Sequence, residues 1–161
     1  MRGGILLAVI SLLAAGCAPA AERRGDRPRP RPSAAPAPPL AKAVVRTAKS
    51  FLPDEESGRA QPEDCSDFTQ KVFAENGVKL ARGAADQSLQ GARIASSRDL
   101  RMGDLVFFSG SKINRIVGHV GIYVNNGIFI HFPNNDTGVT MESMFSDNYR
   151  KRYLSARRII P

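Results

Sequence analysis

The chain has few of the residues that build metal centres and disulfide frameworks. Its 161 residues include two cysteines, Cys17 and Cys65, and two histidines, His119 and His131. Neither a CxxC pair nor an HExxH run occurs, so the spacings that identify a zinc site are missing. No apolar run approaches the ~20 residues that a membrane-spanning helix needs. There is no acidic excess either: the net charge is +8.

The first forty residues carry much of that charge. Arg2, the apolar stretch Ile5 to Leu13 and the small residues Ala14, Ala15 and Gly16 before Cys17 have the layout of a secretory signal. LAAGC resembles the lipobox of bacterial lipoproteins, with Ala where Leu is usual three places before the cysteine. The expectation is a signal over 1–16 and a lipidated Cys17. Residues 17–40, rich in Pro, Ala and Arg, offer almost nothing to bury and read as an extended tether. Their basic charge suits anionic headgroups or wall polymer. Export argues against nucleic acid as a partner. Residues 41–161 hold 17 Lys plus Arg against 13 Asp plus Glu, a net +4, and are enough for one domain with one core. With Cys17 lipidated, Cys65 is the only thiol in a compartment that oxidises thiols, which leaves it either inert or reactive.

Within the domain, Leu40, Val44, Val45, Ala48, Phe51 and Leu52 recur at helical spacing and predict a helix over 41–52 that ends before Pro53. Residues 53–64 read as a loop. Asp64, Cys65 or Ser66 can cap a second helix whose apolar positions are Phe68, Val72 and Phe73, closed by Asn76 and Gly77. Residues 84–91 carry a weak helical signal. Leu105 to Phe108 then reads as a central strand, 119–124 and 128–132 as a hairpin, and 138–142 and 154–160 as further strands. A polar, partly helical connection is expected through Asp147 to Arg152. Helices first and an antiparallel sheet afterwards give an α+β domain.

The register of the hairpin decides whether the two histidines meet. A two-residue turn at Asn126 and Gly127 alone opposes Ile122 to His131 and sends His119 to the other face. A three-residue loop, Asn125 to Gly127 with Gly127 as a left-handed bulge, pairs Val124 with Ile128, Ile122 with Ile130 and Val120 with Phe132. Only the second collects six apolar side chains on one face, each worth roughly 1.5 to 3 kcal/mol when buried. It also places His131 across from Gly121 and diagonal to His119.

A thiol at a helix N-terminus beside an imidazole is the arrangement that nucleophilic catalysis needs. The helix end and the imidazole favour thiolate, and the base later protonates the leaving amine. Cys65 is the candidate nucleophile, His119 the candidate general base and His131 the residue that orients it, for acyl transfer to water. The same three side chains plus water could hold zinc, but no paired spacing supports this, and no metal or cofactor is expected.

The blocks DCSDF at 64–68, MGDLVFF at 102–108, GHVGIYV at 118–124, NNGIFIHF at 125–132 and YLSARRI at 153–159 resemble the NlpC family of bacterial cell-wall cysteine peptidases, a papain-like group. The resemblance covers roughly Leu40 to Ile160. It implies N-terminal helices packed on a small antiparallel sheet, with Cys65, His119 and His131 in the roles just given. It implies hydrolysis of peptidoglycan stem peptides between D-glutamate, through its side-chain carboxyl, and diaminopimelate or lysine. Asp64, Ser66, Asp67, Gly118 and Gly121, which flank the three, are expected to line the substrate site of a monomer anchored to a membrane facing the periplasm or the cell surface. Two departures stand out. No Tyr occurs between 41 and 64, where the family has one that helps form the oxyanion hole, so backbone N–H groups such as that of Cys65 would take over. Asp67 replaces the usual Gly, and its charge is expected to oppose thiolate formation at Cys65. These departures keep open a wall-binding lipoprotein with a weakened groove, and a thiol acyltransferase or amidase on the same fold.

Overall fold

The computed structural model describes residues 36–53 and 59–161. The signal, Cys17 and most of the tether lie outside the described residues. The first helix begins inside the last residues assigned to the tether: α1 spans Pro39–Lys49, with proline in its first turn, where the missing N–H costs no hydrogen bond. A turn follows through Leu52, short of Pro53. α2 spans Cys65–Glu75 and α3 only Ala84–Gln87. The sheet comprises β1 (Ala92–Arg93), β2 (Leu105–Ser109), β3 (Val117–Asn125), β4 (Ile128–His131), β5 (Thr140–Ser143) and β6 (Tyr153–Arg158), in the order β1-β6-β2-β3-β4-β5. Every pair is antiparallel. One turn of 3₁₀ helix, Ser97–Asp99, precedes β2, and α4 (Asp147–Arg152) precedes β6. The two-residue β1 carries no periodic signal and was not expected from the sequence.

Alternation along β2 divides the interior in two. Leu105 and Phe107 face α1 and α2, where Val44, Ala48, Phe68, Val72 and Phe73 join Val120, Ile122, Val124, Ile130 and Phe132 in the larger core. Val106 and Phe108 face the other way, into a smaller core with Phe129, Met144, Tyr149 and Ala156. The hairpin's second face is therefore covered by α4. Ile128, the sixth residue of the expected apolar face, is only half-buried.

The hairpin corrects the expected turn. Asn126 (φ 48°) and Gly127 (φ 78°) are both left-handed, the pattern of a two-residue type I′ turn, and Asn125 pairs with Ile128. The bulge lies upstream, between Tyr123 and Asn125. It restores the register that matters, with Ile122 opposite Ile130 and Tyr123 opposite Phe129. The larger core demands Ile122, Ile130 and Val120 on one face. Asn-Gly prefers the tight turn, and one extra residue in β3 reconciles the two.

Candidate active site

α2 delivers Cys65 at its first position. The N-cap Asp64 accepts hydrogen bonds from the N–H groups of Ser66 and Asp67, both at 2.8 Å, so the N–H of Cys65 is not consumed by the cap. Asp64 also accepts from the Ser66 hydroxyl at 2.7 Å and from Arg82 at 2.8 Å. The Arg82 guanidinium holds this carboxyl far below the usual carboxylate range. Burial pushes the Cys65 thiol up, against the opposing backbone N–H groups of Val120, Ser66 and Cys65 itself, and the Asp64 charge raises it further.

Asp67 is held by the helix start and by its own helix. Its Oδ2 accepts from the N–H of Glu63 at 2.8 Å and pairs with Lys71 one turn on at 2.7 Å. Asp67 thereby fixes the residue before the cap, one place short of the reciprocal bond of a capping box. The Asp64 charge raises the thiol, and Asp67 is turned to the loop and to its own helix.

β3 and β4 bring the histidines together. Nε2 of His119 lies 2.8 Å from Nδ1 of His131, with the rings perpendicular at 89° and their centroids 4.9 Å apart. His119 is 7% exposed and His131 0%. Gly121 makes the approach possible, since a Cβ there would stand 2.6 Å from Phe129 Cδ2 and 3.1 Å from His131 Cβ. Gly118 answers a different need: its Cβ would meet Gly110 N at 2.8 Å, where β2 and β3 cross closely beside a bulge.

Burial lowers the His119 pKa to about 4, with help from the Arg152 charge. Burial lowers His131 to about 3, assisted by His119 and then Arg152. Both rings are neutral at pH 7, and burial keeps Cys65 as the thiol. Because Nε2 of His119 is engaged by His131, Nδ1 is its free ring nitrogen. The thiol is held against the backbone N–H of Val120, the residue after His119.

Several neighbours went unnoticed in the sequence. Tyr149 stacks edge-on against His131 at 5.2 Å, and its hydroxyl is pushed up to about 12 by burial and then by Glu142. Arg152 lies over the Tyr149 ring at 4.9 Å. Both come from the short α4, which has no apolar periodicity to show which side faces the sheet. Arg82 sits in a loop 18 residues from Asp64, and no local pattern announces that pairing. Of two surface depressions, the one of about 570 Å³ includes Asp67 in its lining, and the one of about 480 Å³ has none of the predicted site residues.

The NlpC/P60 family model matches residues 56–158. The murein DD-endopeptidase MepS/murein LD-carboxypeptidase of Escherichia coli K12 is 40% identical over 98 residues, which is 60% of this chain and 50% of that protein. The peptidoglycan DL-endopeptidase CwlO of Bacillus licheniformis is 38% identical over 111 residues, 64% of this chain and 24% of that protein. A crystal structure of an NlpC/P60 family protein from Bacillus cereus superposes with a TM-score of 0.65 at 28% identity, covering 75% of this chain and 40% of that one. The chain thus spans between a quarter and a half of these curated relatives. A family model that fits most of the described domain, a shared α+β fold and the meeting of His119 with His131 agree: this chain belongs to the NlpC/P60 family.

Proposed function

We propose that this protein is an exported, lipid-anchored cysteine endopeptidase that hydrolyses peptidoglycan stem peptides, with Cys65 as nucleophile, His119 as general base and His131 as the residue that orients it. The observation that carries the reading is the 2.8 Å contact between His119 Nε2 and His131 Nδ1, which leaves His119 Nδ1 for the thiol proton. In the chemistry this supports, Sγ attacks the scissile carbonyl while its proton passes to His119 Nδ1, and His119 then protonates the departing amine. Water attacks the resulting thioester as His119 takes a proton from it. The acid product leaves and the thiol is restored. The N–H of Cys65, left over by the Asp64 cap, is the donor assigned to the oxyanion in place of the missing upstream tyrosine. Asp64, Ser66 and Gly118 are assigned to the groove around the scissile bond.

In this reading, residues 1–16 are the signal, Cys17 the lipidated terminus, 17–40 the tether and 41–161 the peptidase domain, working as a monomer. The bond proposed is that between the side-chain carboxyl of D-glutamate and diaminopimelate or lysine. The Bacillus cereus relative named gamma-D-glutamyl-L-lysine dipeptidyl-peptidase, 31% identical over 126 residues, supports it. The Escherichia coli relative's name favours a second reading, cleavage of the D,D cross-link. The test is to incubate the full chain with defined uncross-linked tetrapeptides and with cross-linked dimers, and to identify the products by mass spectrometry. Release of L-Ala-γ-D-Glu supports the first bond, and conversion of dimers to intact monomers supports the second. Binding without any cleavage by folded protein would replace both with a wall-binding role.

A further inference from the structure

His131 is fully buried, and among the described residues its Nε2 has no hydrogen-bond partner. The nearest charged group is on the neighbouring strand: Glu142 Oε1 lies 3.8 Å away. The β4–β5 register pairs His131 with Thr140 and Phe129 with Glu142, so Glu142 stands on the same face as His131, two residues along. Its side chain is 39% exposed, which leaves it free to turn by the fraction of an ångström that separates 3.8 Å from a hydrogen bond. A buried N–H that finds no acceptor is costly, and a lone pair aimed at a carboxylate is repelled. Both considerations favour one protonation pattern, with hydrogen on His131 Nε2 and Glu142 accepting it.

That pattern propagates. With Nε2 of His131 protonated, its Nδ1 carries the lone pair and accepts from His119, whose hydrogen is thereby fixed on Nε2. Nδ1 of His119 is left as the lone pair that can take a proton. We propose that Glu142 is a positioning residue that selects this tautomer for the His131–His119 pair and so makes His119 Nδ1 a base. The proposal rests on the roles given above to Cys65 and His119, but the tautomer itself exists whether or not the protein hydrolyses anything. The charged and titratable groups facing His131 are His119 from β3, Tyr149 and Arg152 from α4 and Glu142 from β5, with Cys65 of α2 acting on Tyr149. Glu142 is the one acidic side chain among them, so losing its charge makes an imidazolium in the pair harder to form.

The experiment is long-range ¹H–¹⁵N correlation of the imidazoles in the full chain, for wild type, Glu142→Gln and Glu142→Ala, with kcat/KM against pH on stem peptide for the same three proteins. Wild type is expected to show both rings as Nε2–H tautomers. Glu142→Gln keeps an acceptor, so it should keep the tautomer and most of the activity at pH 7, with its acid limb moved to lower pH. Glu142→Ala should show mixed tautomers at His131 and lose about tenfold or more in kcat/KM, on the scale of losing the carboxylate behind a metal-bound histidine. A His131 protonated on Nδ1 in wild type, or a Glu142→Ala protein with unchanged nitrogen shifts and pH profile, overturns the proposal. Wild type with the expected tautomer but no hydrolysis leaves Glu142's role standing and removes the peptidase reading instead.

Discussion

Burial sets the charge state of the two histidines and makes the fold less stable in acid. The folded values of about 4 and about 3 lie below the ordinary histidine value of 6.5, so the fold holds the rings neutral while the unfolded chain protonates them. Their neutral burial is tolerated above pH 6.5, and stability is lost as pH falls from there towards the folded values. Between pH 7 and pH 5 the loss is about 2 kcal/mol per histidine. Urea unfolding at the two pH values should show it, and His131→Gln should show a smaller difference; equal pH dependence in the two proteins would contradict the burial argument. Asp64, depressed by Arg82, contributes stability above the ordinary carboxylate range and loses it only in more acid solution, so it does not enter this window. The lowered pKa of His119 should place the acid limb of kcat/KM near pH 4 and not near 6.5.

At the scale of elements, α2 matters most, because its first residue is the proposed nucleophile and its cap is a side chain. Asp64→Ala removes the acceptor for the N–H groups of Ser66 and Asp67 and the partner of Arg82, and should cost about 1 to 2 kcal/mol in chemical denaturation. An unchanged midpoint would mean that Asp67 alone holds the helix start. The two long helices and the hairpin were legible in the sequence because each carries an unbroken apolar period. Phe68, Val72 and Phe73 announce α2, and Ile122 with Ile130 announces the register that joins the histidines. The bulge at Tyr123 to Asn125 was not legible, since a three-residue loop and a tight turn with a bulge give the same pairing further up the strands. The partnership of Glu142 with His131 was hidden for another reason. The link between β4 and β5 is irregular, and no turn rule fixes the register across it.

For the molecule as a whole, the sheet is a partition between two cores, and its cohesion depends on how β6 is tied to β2. Arg158 on β6 reaches Asp104 at the head of β2 through paired hydrogen bonds of 2.9 and 2.8 Å, and Asp104 is almost wholly buried. Asp104→Asn strips the anion from a mostly buried guanidinium and should cost about 3 kcal/mol in urea unfolding. A loss below a few tenths would show that the pair only replaces the hydration it displaces. The central claim concerns chemistry, and kcat/KM of the full chain and of Cys65→Ala on one defined stem peptide tests it most directly. Wild-type cleavage that falls at least about 1000-fold in folded Cys65→Ala is the predicted result; cleavage by Cys65→Ala at the wild-type rate would contradict it.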